Sequence, residues 1–136
     1  MTIQDVVEQI DEQIEQLTDS RNELLTSGIN KPDSVLLLIR YDAIRTDLGD
    51  LQYPLWIGSE DKFQERVADL RTVINSRLQV RRRKFNSRRS KANRYWLKTE
   101  FRRRHYLCWV VNMLADTKSD GPPSAVKPDY NRLLIK

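Results

Sequence analysis

Sixty-two consecutive residues, 59–120, contain neither glycine nor proline. At average usage, about seven would fall in a stretch of that length. All nine glycines and prolines lie in three groups, at residues 28–32, 49–58 and 121–128. Because these residues most strongly interrupt regular structure, the chain of 136 residues divides into three stretches, two joints and a tail. The pattern predicts an all-α fold, with a single helical domain over residues 1–116 and a flexible C-terminal arm over residues 117–136.

The first stretch has apolar residues at alternating spacings of four and three, a heptad seam interrupted once by arginine. The seam consists of Ile3, Val7, Ile10, Ile14, Leu17, Arg21 and Leu24. Thr2 and Asp5 have the spacing of a capping box, and Gly28 stands where helices commonly end in a left-handed residue, which places Ile29 to contact Leu24. We expect a helix over residues 3–27. Its seam either packs inside its own monomer or mediates coiled-coil self-association through residues 3–24.

The second stretch follows a short joint, with Asp33 or Ser34 as the expected N-cap. A broad apolar face continues to Leu48 and predicts a helix over residues 34–48. The shortness of the joint predicts that the first two helices form an antiparallel hairpin.

Two apolar segments outside these helices are candidate partner-binding sites. The joint at residues 49–58 is apolar for a connection, so it either seals the end of the hairpin core or presents a patch to a partner. The tail also ends in an apolar tip. The candidate anchors are Tyr53, Leu55, Trp56, Leu133, Leu134 and Ile135.

The third stretch predicts a helix over residues 60–116, with Ser59 as its N-cap and acids in the first turn. Unbroken, it would be about 85 Å long. Polar residues that form helix poorly occur near residues 86–93, and the helix either bends or breaks there. The cluster of Tyr106, Trp109, Val110 and Met113 has helical spacing and is expected in the core.

Charge is distributed unevenly along the chain. The net charge of +5 comes from 24 basic and 19 acidic side chains. Residues 1–78 have a net charge of −7 and residues 105–136 a net charge of +1. Residues 79–104 hold 12 basic side chains and one acid, Glu100, for a net charge of +11. A helix of that composition repels itself unless it meets an anion, and phosphate is the commonest such anion.

The basic segment, residues 79–104, is therefore the predicted nucleic-acid site. Arginine predominates, and it can bind phosphate as a fork and stack on bases. Aromatic residues lie between the cations, a pattern that suits stacking on unpaired bases, with Phe101 as a further candidate. The predicted nucleic-acid-binding residues are Arg81, Arg82, Arg83, Lys84, Arg88, Arg89, Lys91, Arg94, Tyr95, Trp96, Lys98, Arg102, Arg103 and Arg104.

Other interpretations of the basic segment stay open. The acidic first helix could pair with it inside the monomer or across a dimer, although residues 1–27 carry a net charge of only −6. A protein with an acidic surface could bind it, which would make the chain an adaptor or inhibitor of a larger enzyme or assembly. A structural subunit of a virion or ribonucleoprotein would combine both contacts. Trp96 could alternatively cover an arginine within the fold.

An enzymatic function has little support in the sequence. His105 is the one candidate proton shuttle near neutral pH, and Cys108 is expected to be a buried, inert thiol because its neighbours are apolar. One cysteine and one histidine do not supply a standard zinc site, and we expect no metal, no cofactor and no catalytic residue. No apolar run reaches the roughly 20 residues of a membrane span, and the acidic N-terminus does not resemble a targeting peptide. A cytoplasmic location is expected, with a nuclear or virion-associated one left open.

Overall fold

A computed structural model describes residues 1–28 and 32–129 and confirms the all-α prediction for them. The described residues form four helices and no strand: α1 (Ile3–Ser27), α2 (Pro32–Trp56), α3 (Glu60–Ser87) and α4 (Lys91–Asp116). Successive helices alternate in direction, as the residue pairs that join them show, and α4 contacts each of the other three. None of the four has a segment apolar and long enough to cross a membrane.

The α1 helix begins with the predicted capping box. The Asp5 amide donates to Thr2 Oγ1 at 3.1 Å, and the Thr2 amide donates to the Asp5 carboxylate at 2.8 Å. These hydrogen bonds lower the pKa of Asp5. The predicted contact of Ile29 lies outside the described residues.

The α1 seam packs inside the monomer. Ile10 and Leu17 are fully buried, whereas Ile3 at the helix start is 44% exposed. Polar contacts to α2 fix the register, because Arg21 pairs with Asp42 while Gln52 donates to the Val7 carbonyl. The two helices therefore run antiparallel. The seam faces α2 and the core, so it is not a free surface for coiled-coil self-association.

The α2 helix is longer than predicted, since it runs through the expected loop to Trp56. The sequence-based boundaries of 34–48 were wrong because buried Leu51 and Leu55 continue the apolar face beyond Leu48. Gly49 has open space around it, and a single glycine costs only about 1 kcal/mol inside a helix. Pro54 lies in the last turn of the helix.

A Schellman motif ends α2. Gly58 has a φ of 74°, its amide donates to the Leu55 carbonyl at 3.2 Å, and the Ser59 amide donates to the Pro54 carbonyl at 2.8 Å. Ser59 also caps α3 as predicted, since its hydroxyl accepts from the Lys62 amide. The connection between α2 and α3 is consequently only three residues long.

The stretch 60–116 consists of two helices that fold back on each other. Arg88 ends α3, and Ser90 begins α4 by accepting a hydrogen bond from the Asn93 amide at 3.1 Å. The Asn93 side chain donates to the Arg88 carbonyl at 2.8 Å and so closes the turn. At the far end of the hairpin, Lys118 forms an ion pair with Glu60.

The apolar core lies towards the end of the bundle formed by the start of α1 and the end of α4. Phe63, Val110 and Met113 are fully buried there, and Trp109 packs edge-on against Tyr106. This confirms the predicted core cluster in α4. Cys108 is an exception to the expectation, because it lies on the solvent side of α4 and is exposed.

The first part of the C-terminal arm is fixed on this core end rather than free. The buried Asp116 carboxylate accepts from the amides of Ser124 and Ala125 at 2.9–3.0 Å and from the Ser124 hydroxyl at 2.8 Å. Ala125 also packs against the core. These hydrogen bonds lower the pKa of Asp116.

Candidate nucleic-acid interface

The basic segment occupies the end of the bundle opposite the core. It comprises residues 79–87 of α3, the turn at residues 88–90 and residues 91–104 of α4. Eleven of its twelve cations keep part of their surface in solvent. The eleven are Arg81, Arg82, Arg83, Lys84, Arg88, Arg89, Lys91, Arg94, Lys98, Arg102 and Arg104. We call the part of the bundle that carries these eleven cations the basic end.

Little negative charge reaches the basic end. Glu100 is only 2% exposed and lies against Arg103. Lys91 pairs with Asp33 of α2 at 2.7 Å. Nine of the eleven form no ion pair with any residue in the described ranges: Arg81, Arg82, Arg83, Lys84, Arg88, Arg89, Arg94, Lys98 and Arg104.

The acidic α1 helix does not neutralise the basic end. Its acids are exposed, and within residues 1–28 and 32–129 none of them forms an ion pair with residues 79–104. The helix packs mainly on α2. Pairing of the two segments inside the monomer, one of the alternatives open from the sequence, is therefore absent from the described structure.

Arg103 is not part of this surface, which corrects the prediction. It is 8% exposed, and its guanidinium binds Asp47 of α2 through two hydrogen bonds of 2.8 and 2.9 Å. A third, of 3.1 Å, reaches Glu100. Burial alone would lower the pKa of Arg103, but the bonds and charges of the two carboxylates raise it. Arg103 joins α2 to α4 and is committed to the interior.

Arg103, Asp47 and Glu100 form a buried cluster, and the pKa values of its two carboxylates are shifted. Burial raises the pKa of Asp47 and of Glu100, although the contacts with Arg103 act in the opposite direction. Arg77 of α3 lies 4.0 Å from the second Glu100 oxygen, so the cluster touches three helices. The two hydrogen bonds from Arg103 to Asp47 have the bidentate geometry of a charge-assisted pair.

Tyr95 is also interior, contrary to its predicted contact with nucleic acid. It is 6% exposed, and the Arg40 guanidinium carbon lies 3.8 Å from its ring centre. Arg40 donates to Thr99 Oγ1 at 2.9 Å and to the Tyr95 carbonyl at 3.2 Å. Burial raises the pKa of Tyr95 to about 12, so its phenol stays neutral. Arg40 and Tyr95 thus hold α2 against α4.

The other aromatic rings of the basic end are covered by arginines. The guanidinium carbon of Arg81 lies 4.9 Å from the Trp96 ring centre. Phe101 has two such neighbours, Arg82 at 5.4 Å and Arg104 at 5.2 Å. Such cation–π contacts stabilise by about 0.5–2 kcal/mol each. They hold α3 against α4 where few apolar side chains are available, as the sequence-based alternative for Trp96 anticipated.

One row of cations runs along α4. Arg94, Lys98 and Arg102 follow at intervals of four residues and so share a face. Partial burial lowers the pKa of Lys98, and the charges of Arg94 and Arg102 lower it further. The row therefore concentrates positive charge on one face of α4.

Comparisons give no relative. No family model matches the chain, and no curated protein or solved structure matches it. The geometry of the basic end has to carry the functional argument.

The candidate partner-binding residues differ in exposure, and some of them lie outside the described residues. Trp56 is 71% exposed and Tyr53 is 53% exposed, whereas Leu55 is buried and belongs to the core. Leu55 was misassigned because the expected loop is helical and turns this side chain inward. The tip at residues 133–135 lies outside the described residues.

The sequence analysis missed three residues of the buried polar clusters. Arg40 and Asp47 were not singled out, and Glu100 was only counted as the acid of the basic segment. One signal was present, since Arg40 and Asp47 have the same helical phase as buried Ile44 and Leu51. A charge on the apolar face of a helix indicates a buried group that needs a counter-charge or hydrogen-bond partners. The partners in α4 cannot be read from that phase alone.

Proposed function

We propose that the protein is a non-enzymatic accessory factor that binds nucleic acid through the phosphate backbone. One observation supports this best: the basic end exposes eleven cations while the one acid of its segment is buried. Crowded cations with little counter-charge bind a polyanion favourably, because each neutralised phosphate releases condensed counterions. Contacts of this kind position a protein on nucleic acid without reading its sequence.

A salt series tests the proposal directly. Fluorescence anisotropy with labelled DNA and RNA would give the association constant at each salt concentration. If about five phosphates are neutralised, the slope of log K against log salt is about −4 to −5 on a duplex. No binding at about 50 mM salt would refute the proposal.

A charge-removal variant locates the site. Arg83, Lys84 and Arg88 are exposed and contact no aromatic ring. Changing all three to glutamine should weaken binding and reduce the slope by about 2–3 if most of them touch phosphate. Unchanged affinity would place the site elsewhere.

The same helix supplies a matched control. Lys62, Arg66 and Arg71 are exposed on the first half of α3, away from the basic end. Their replacement by glutamine makes the same change in net charge. The proposal requires this variant to bind far better than the first, and equal weakening would show only a dependence on total charge.

A second candidate function, an adaptor for a protein with an acidic surface, is favoured by exposed Trp56 and Tyr53. Aromatic residues of this kind are typical anchors of interfaces. Trp56 ends α2, however, and lies about 36 Å along the helix from Pro32 beside the basic end. One partner would have to span the bundle to use both surfaces. Co-purification of a protein that survives nuclease treatment and is lost in Trp56→Ala would favour this function.

A further inference from the structure

We infer that the basic end binds double-stranded nucleic acid and not unpaired bases, an inference that rests on the proposed function and names its ligand. Recognition of single strands depends largely on aromatic rings against which bases stack. The rings of residues 79–104 have other contacts in this fold, as the distances show.

Each ring of the basic end has a guanidinium over it. Arg89 covers Phe85 at 5.7 Å, and Phe101 has two arginines. Trp96 lies under Arg81, and Tyr95 is buried under Arg40. A base that stacked on the covered face of such a ring would have to displace its arginine. Among residues 1–28 and 32–129, the most exposed aromatic side chains are Tyr53 and Trp56, which lie at the opposite end of the bundle.

Stacking on a ring leaves an arginine able to bind phosphate. The planar guanidinium uses its face for the ring, while its N–H donors point outward along the edge. The ring thereby fixes the direction of the donors and lowers the conformational entropy lost on binding. Arg81 and Arg82, which lie 4.9 and 5.4 Å from the rings of Trp96 and Phe101, are therefore proposed as phosphate ligands, with the rings as their structural partners.

The helical hairpin also sets the spacing of the charges. Two packed helices have axes about 8–10 Å apart, and both α3 and α4 carry cations at this end. A B-form duplex has two rows of phosphates across grooves of about 6 and 12 Å. A single strand has one flexible row and would have to be ordered to reach both helices. Cations on two rigid helices can therefore contact both phosphate rows of a duplex at once, and this favours the duplex.

Anisotropy titrations with strands of equal length provide the test. The probes are duplex DNA and duplex RNA of mixed sequence, and oligo-dT as an unstructured single strand. We expect at least one duplex to bind about tenfold more tightly than oligo-dT at the same salt concentration. Equal or tighter binding of oligo-dT would overturn the inference and leave the proposed function standing. Failure of every probe would refute the proposed function itself.

A ring variant gives a second, independent measurement. Trp96→Leu should lower thermal stability and change duplex affinity by less than about fivefold, the effect expected for one stacked base. Trp56→Leu is the control for removing a tryptophan from the opposite end. A loss of oligo-dT affinity in Trp96→Leu that exceeds its loss of duplex affinity, with the helical circular dichroism spectrum intact, would show that the ring contacts bases.

Discussion

Replacing Arg103 with methionine should destabilise the bundle far more than changing any exposed cation of the basic end. The change leaves Asp47 and Glu100, which are 4% and 2% exposed, without their shared counter-charge. Removing one partner of a buried ion pair costs about 3–5 kcal/mol. Arg77 does not compensate, because it lies 4.0 Å from one Glu100 oxygen and is more than half exposed.

Urea denaturation followed by circular dichroism would measure this loss. In thermal unfolding of a chain of this size, a loss of about 3–5 kcal/mol corresponds to a fall of about 10–20 °C in Tm. Arg104→Met is the matched control, because Arg104 is the next residue and its main contact is the face of Phe101. It should lose about 1 kcal/mol or less.

Arg103→Lys and a triple replacement keep the prediction testable if Arg103→Met does not fold. Lysine retains the charge and loses the bidentate geometry, so Arg103→Lys should fall between wild type and Arg103→Met in stability. Changing Asp47 and Glu100 to leucine in the Arg103→Met background removes both buried charges. That triple variant should recover most of the lost stability, since apolar replacement of a buried ion pair is often neutral or stabilising.

In the nucleic-acid binding assay, the order of the two residues is reversed: replacing Arg104 should have the larger effect. Any folded Arg103 variant should keep the salt slope of the wild type, whereas Arg104→Met should reduce it by up to about one. Equal stability of the Arg103→Met and Arg104→Met variants would refute the assignment of Arg103 to the interior. A reduced salt slope in Arg103→Lys would do the same.

Three further outcomes are expected. Ile10→Ala should cost about 2–5 kcal/mol and Ile3→Ala less than about 0.5 in urea denaturation; similar values would contradict packing of the seam inside the monomer. The lowered pKa of Asp116 means that its ionised form stabilises the fold above its ordinary pKa of 3.8, and this contribution is lost as the pH falls below that value; Asp116→Asn should therefore be less stable than wild type at pH 7, with the difference shrinking towards pH 2. Lys98→Gln removes a cation between two like charges and should raise the free energy of unfolding by about 0.5 kcal/mol at low salt; the gain should vanish in 1 M salt, and a gain that persisted there would exclude repulsion as its cause.

Local signals in the sequence predicted the helical class and several helix ends. The capping box at Thr2 and the N-cap at Ser59 depend on residues within three positions of each other, so a linear pattern contains all the information required. The end of α2 was mispredicted for the opposite reason. Gly49 and Pro54 are breakers by composition, but packing of Leu51 and Leu55 against the core outweighs their cost, and packing is not local.

The candidate site was predictable in its charge and not in its contacts. Counting charges located the basic end, because an excess of eleven positive charges in 26 residues persists in any fold. The same count assigned Arg103 to the surface, and the interleaving of aromatic residues with cations assigned Tyr95 there. Their burial depends on Asp47 and Arg40, which are more than fifty residues away in sequence and meet them only when α2 packs on α4.

Two clusters join α2 to α4: Arg103 with Asp47 and Glu100, and Arg40 with Tyr95 and Thr99. They link the stability of the bundle to the binding of its proposed ligand. The basic end has little apolar area to bury, and its exposed cations repel one another, so it is the part of the described fold that gains most from an anion. A ligand that binds only the folded state adds RT ln(1 + [L]/Kd) to the free energy of unfolding. Polyanion binding should therefore protect backbone amides near residues 81–98 from hydrogen exchange more than amides near Phe63 or Met113, which the core already protects. Uniform protection would mean that the basic end unfolds only with the whole bundle, and the Arg–aromatic contacts would then be stronger than their geometry indicates.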